Sequence, residues 1–105
     1  MSIKLEVVGR LGKDPYVQET KNGKATILSL AARRGSLQPA VWITGSIWEV
    51  RLGAFVLEKF KKGDLIQAFG TLSNLMVYFG SDGQPKPGLD FIINAVGFAE
   101  QQKEK

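Results

Sequence analysis

A chain of 105 residues has room for one domain, and 44% hydrophobic against 23% charged residues suffices for a core without reserve for a long disordered arm. It contains no cysteine and no histidine, which excludes a disulfide scaffold, thiolate metal sites and a cysteine nucleophile, and removes the commonest metal ligand and general base. The net charge of +4 is lopsided: residues 1–62 hold eleven Lys/Arg against five Asp/Glu, for +6, while residues 63–105 hold three against five, for −2. A positive field on the first part suits a polyanion or an anionic surface, the plain alternative being solubilising lysines.

The ten carboxylates stand singly, with no paired-acid motif, and the glycine-rich stretches at 9–12 and 80–88 lack the Lys-Ser/Thr of a phosphate loop. A non-enzymatic protein needing no cofactor and no metal is expected. No apolar run approaches the ~18 residues of a membrane span, and the start, Met-Ser-Ile-Lys-Leu-Glu, lacks the features of a secretory signal. Neither a membrane nor export is expected, so the location is expected to be cytoplasmic, or an organelle if a transit peptide has been removed.

In chain order, Ile3 to Val8 alternate apolar and charged as a half-buried strand does, and Gly-Arg-Leu-Gly-Lys-Asp-Pro at 9–15 reads as a bend. Tyr16 to Glu19 continues extended, Asn22-Gly23 predicts a tight turn, and Ala25 to Ala32 returns as the second strand. A short basic connection, 33–40, leads to Val41–Trp48, where Val41, Ile43, Gly45 and Ile47 share one face and Trp42, Thr44, Ser46 and Trp48 the other. Glu49 to Lys62 has helical spacing of Leu52, Phe55, Val56 and Phe60, with Gly63 as its stop. Residues 64–72 and 74–79 read as strand, 80–88 as a turn-rich loop, 89–99 as the last strand and 100–105 as a polar tail.

Five short strands with one helix between the third and fourth fit an all-β OB fold, a five-stranded Greek-key barrel over residues 1–99. Another small α+β barrel or sandwich is the competing architecture. An OB barrel uses its second-to-third strand face and the loops after its first and fourth strands to hold oligonucleotides or oligosaccharides.

The residues then resemble the bacterial-type single-stranded DNA-binding protein (SSB) family. Val-Val-Gly-Arg-Leu-Gly-Lys-Asp-Pro at 7–15, Asn22-Gly23 before Leu-Ser-Leu-Ala at 28–31, Trp42 six residues before Trp48, Phe-Lys-Lys-Gly-Asp at 60–64 before Gly-Thr-Leu at 70–72, Gly83 and Ile-Ile-Asn at 92–94 recur in the family's order. The resemblance spans residues 3–98. It implies a protein that coats single-stranded DNA without sequence preference in replication, repair and recombination, working as a homo-oligomer, a tetramer more often than a dimer. This chain departs from the pattern in a shorter 33–40 connection without an aromatic, and in Ile43 where relatives commonly carry a histidine associated with subunit contacts. It stops at Glu-Lys, without the acidic, phenylalanine-terminated tail that recruits replication and repair proteins. These departures motivate an alternative: an OB-fold replication accessory protein resembling primosomal replication protein N, a dimer acting mainly through protein contacts. A third reading is an RNA-binding OB module.

The candidate contacts follow. Trp42 and Trp48 should both face outward, about 20 Å apart along an unbroken strand, as platforms for bases. The alternative is a bulge at Gly45 that turns Trp48 into the core or under the helix. Tyr78 and Phe79 point to opposite sides, and Tyr78 falls where relatives carry a DNA-facing aromatic. Phe55, Phe60, Phe69, Phe91 and Phe98 are expected in the core. Lys4, Arg10, Lys13, Lys24, Arg33, Arg34, Arg51 and Lys86 are the candidate phosphate contacts, with Arg33 and Arg34 foremost because each guanidinium offers two parallel donors or a flat face for a base.

Overall fold

The computed structural model describes residues 2–32 and 41–99. Along them run β1 (Lys4–Leu11), β2 (Tyr16–Thr20), β3 (Gly23–Ala32), β4 (Val41–Ile47), helix α1 (Val50–Lys59), β5 (Leu65–Phe79) and β6 (Pro85–Phe98). The strands hydrogen-bond in the order β1-β5-β6-β4-β3-β2, and a further pairing of β1 with β3, Arg10 opposite Ala31 and Leu11 opposite Leu30, closes five of them into a ring. β2 is the continuation of the first strand beyond its bend and pairs with β3 across the Asn22-Gly23 turn. The barrel is the expected OB fold, with the helix between the third and fourth barrel strands.

Alternation sets which side chains go inside. On β1, Val7 and Leu11 point in while Lys4, Glu6, Val8 and Arg10 point out; on β4, Ile43, Gly45 and Ile47 point in. The core joins these to Leu28, Leu30, Ile66, Phe91 and Ile93, with Val56 of the helix pressed onto it. Gly53 permits that approach, because a Cβ there would lie 2.5 Å from the Thr26 hydroxyl.

Several elements differ from the sequence-based expectation. The first strand runs on to Leu11 instead of bending at Gly9, since Gly9 lets β3 come close: a Cβ there would stand 2.7 Å from the Ala31 carbonyl oxygen. The helix ends at Lys59, not Lys62. Phe60 leaves it in an extended conformation and buries its ring completely, edge-on to Phe55 at 5.8 Å and to Phe98 at 4.6 Å. The two segments 64–72 and 74–79 are one strand carried through an irregularity between Leu72 and Asn74, and the last strand starts at Pro85, which shortens the loop. Of the five phenylalanines expected inside, Phe60 and Phe91 are buried, whereas Phe55, Phe69 and Phe98 are exposed. Ile66, Ala68 and Gly70 take the inward positions of β5, which turns Phe69 out.

Candidate nucleic-acid interface

The outer surface of β3, β4, β6 and β5 is organised in rows by strand register. One row runs Ala31, Trp42, Gly88, Met76; the next runs Ser29, Thr44, Asp90, Asn74; a third runs from the buried Ile27 through Ser46, Ile92 and Thr71 to Lys4 on β1. The register of β4 is continuous on both sides, so Gly45 makes no bulge. It is instead the inward position over which Phe91 and Ile93 close.

Trp42 stands on this surface with 43% of its area open to solvent. Two hollows adjoin it. The first, about 450 Å³, is bordered by Lys13, Ser29, Trp42, Thr44, Met76 and Tyr78; the second, about 470 Å³, by Trp42, Tyr78, Phe79, Asp82 and Lys86. Trp42 and Tyr78 are common to both, so these two residues are the wall that the hollows share. Gly88 makes room for the phenol: a Cβ there would lie 3.2 Å from the Tyr78 ring and from Met76.

Charge lies at the ends of this groove. The Lys13 ammonium sits 4.7 Å from the centre of the Tyr16 ring, held by the negative face of the aromatic. Lys86 reaches Asp82 at 3.4 Å, in a contact that water screens heavily. The backbone N–H of Gln84 donates to the Asp82 carboxylate and holds its pKa below the ordinary value, with help from Lys86. On the polar row, partial burial pushes the Asp90 carboxyl up instead.

Trp48 is also outward, with 39% of its area open, but it is not part of this groove. β4 ends at Ile47 and the chain turns at once into α1, whose first turn is capped by Glu49 accepting from the Leu52 N–H at 2.6 Å. Trp48 therefore borders a separate hollow of about 250 Å³ with Val17, Lys24, Val50, Ala54 and Leu57. Even spacing had suggested one continuous platform; the end of the strand divides it into two sites.

The candidate cations disperse accordingly. Lys13 and Lys86 flank Trp42 and Tyr78. Lys24, paired with Glu19 at 3.6 Å, stands by Trp48. Lys4 reaches the Thr71 hydroxyl at 3.5 Å on the third row. Arg10 donates to the Gly63 carbonyl at 3.0 Å and so braces the 61–64 turn, and Arg51 is exposed on the first turn of the helix. Arg33 and Arg34 lie outside the described residues. Met76 was not anticipated, although it shares the face of Tyr78 by the two-residue period of a strand; Phe79, expected to point in if Tyr78 points out, is instead 73% exposed and borders the second hollow, while Tyr78 is half-buried. Ile43, at the position linked with subunit contacts, is buried in this chain's own core.

Among the described residues, no helix is long and apolar enough to cross a membrane, and no group of three or more Asp or Glu side chains is placed to hold a metal ion. No curated protein matches the chain. Crystal structures of the mitochondrial single-stranded DNA binding protein Rim1 from S. cerevisiae are similar to it: one aligns at 19% identity and a TM-score of 0.72, covering 97% of this chain and 99% of that one. A selenomethionine-labelled form aligns at 16% identity and 0.75, covering 98% and 99%. Residues 3–99 match the Single-strand binding protein family. The chain belongs to that family.

Proposed function

We propose that this protein binds single-stranded DNA without catalysis and with little regard to sequence, serving replication, repair and recombination. The observation that carries the reading is the pair of half-open rings, Trp42 and Tyr78, shared between two hollows and flanked by Lys13 and Lys86. Every base has a π-face, so such rings hold successive unpaired bases at about 1–3 kcal/mol each while lysines take up phosphates. Hydroxyls of Ser29 and Thr44 on the floor of the first hollow offer donors and acceptors to base edges. Trp48 and Lys24 form a second contact farther along a longer strand.

A homo-oligomer, with a tetramer ahead of a dimer, accompanies the reading. Among the described residues, β1 is paired with β5 on one side and with β3 at Arg10 and Leu11 on the other, which among those residues leaves the first part of its edge open beside the outward apolar side chains of Val8 and Phe69. Open edges and exposed apolar patches are what self-association covers.

The test is a tryptophan-fluorescence titration with oligo-dT at two salt concentrations, alongside mass measurement in solution. Emission should fall on binding, and log K should drop against log salt with a slope of about −0.7 for each phosphate neutralised. No quenching by oligo-dT would overturn the reading. A stable dimer with feeble DNA affinity would favour the accessory-protein alternative, and preference for oligo-rU over oligo-dT would favour an RNA role.

A further inference from the structure

Gly12 lies just past the end of β1, in the bend that precedes Lys13, and its N–H donates to the Ser29 carbonyl of β3 at 2.9 Å. Trp42 is on β4, the strand on the far side of β3, paired with Ala31. Its indole nonetheless reaches across β3 to Gly12. A Cβ on Gly12 would stand 2.6 Å from Cζ3 and 2.8 Å from Cη2 of the indole, distances at which something has to move. The next nearest atom among the described residues is the Ser29 carbonyl oxygen at 3.8 Å, so among them the ring is the one close obstacle.

We propose that Gly12 is the positioning residue for Trp42: its bare Cα is the bed on which the six-membered end of the indole lies, and this contact fixes the tilt of the face offered to a base. The proposal rests on the reading of Trp42 as a stacking platform. Two constraints hold the ring: the backbone of β4 at its root and Gly12 at its tip. A platform held at both ends loses no rotamer freedom when a base lands on it, whereas a free indole would have to be ordered on each binding event. The far end of a side chain gives way more easily than backbone. A methyl group at Gly12 is therefore accommodated by swinging the ring away, and the barrel stays intact. Gly12 has no positive φ, so alanine meets no left-handed backbone strain there.

The experiment compares the parent, Gly12→Ala, Trp42→Ala and the double variant for binding to fluorescein-labelled oligo-dT by anisotropy, and for thermal unfolding. The chain has two tryptophans, so Trp48→Phe leaves Trp42 as the sole indole. Acrylamide quenching in that background reads the ring's exposure without DNA. Gly12→Ala is expected to melt close to the parent, to expose Trp42 to acrylamide and to weaken binding about 5-fold or more, approaching the loss in Trp42→Ala. In the Trp42→Ala background the same methyl should change nothing, because the group it displaces is gone. If Gly12→Ala unfolds early, restoration of the melt in the double variant still assigns the clash to the ring. Equal loss in both backgrounds, parental binding with parental quenching, or an early melt that the double variant does not restore would overturn the proposal. Should Trp42→Ala bind like the parent while Gly12→Ala still exposes the indole, the stacking reading fails and the contact between Gly12 and the ring stands.

Discussion

Trp42→Ala is the perturbation on which the interface can be measured. About half of the indole is already covered, its tip by Gly12, so the fold gives up only the packing of that end when the ring is removed. The DNA-facing half is what a base covers. A stacked base is worth about 1–3 kcal/mol, so the affinity for a short oligo-dT should fall about 5- to 150-fold. Trp42 borders both hollows and has the larger ring, which places its loss toward the upper part of that span. Tyr78→Ala should fall toward the lower part, its ring being smaller and half-buried. The two residues border the same hollows, so removing either one alters the site of the other. The double variant should lose less than the sum of the two free energies, with a coupling of about 0.5–3 kcal/mol. Trp42→Phe, which keeps a π-face, should recover most of the binding. The assay is fluorescence anisotropy of a labelled oligonucleotide at one low salt concentration, with circular dichroism to verify the fold. Folded Trp42→Ala and Trp42/Tyr78 double variants that bind within twofold of the parent would refute the shared-wall argument.

Asp82→Asn should tighten oligo-dT binding about 2- to 5-fold at low salt, because it frees Lys86 and removes a negative charge from the second hollow; the gain should shrink as salt is raised. A gain that does not change with salt would show that charge is not its cause. Asp90 gives a pH prediction. Burial raises its folded-state pKa above the ordinary 3.8, so the fold favours the protonated acid; that contribution is present below the ordinary value and is lost as pH rises through the raised one. Asp90→Asn should therefore melt higher than the parent at pH 7, and the difference should narrow toward pH 3; melting curves showing a constant difference would exclude this origin.

The order of elements and the outward position of Trp42 were legible in the chain because each follows from local rules, whereas the OB barrel was legible through that order together with the resemblance to the family. Two-residue alternation assigns the faces of a strand, Asn22-Gly23 marks a hairpin, and the 3.6-residue spacing of Leu52, Val56 and Phe60 marks the helix. Rules of this kind act between neighbours. They failed at Phe60, whose spacing belongs to the helix but which lies just past its end, with its ring packed edge-on to Phe55 and Phe98. They failed again at Phe69, an aromatic in an apolar strand that faces outward because its neighbours took the inside.

For the interface, composition and spacing supplied the aromatic and basic candidates but not their grouping. Trp42 and Trp48 are six residues apart and end in different hollows; Trp42 and Tyr78 are thirty-six apart and share two. The pairing of β4 with β6 and of β6 with β5 brings the second pair together, through Gly88 lying between Trp42 and Met76. Such juxtapositions depend on which strands become neighbours when the barrel closes, a global packing outcome that no short stretch of the chain contains. The same holds for Gly12, which reads as an ordinary bend glycine until the fold lays an indole from two strands away across it.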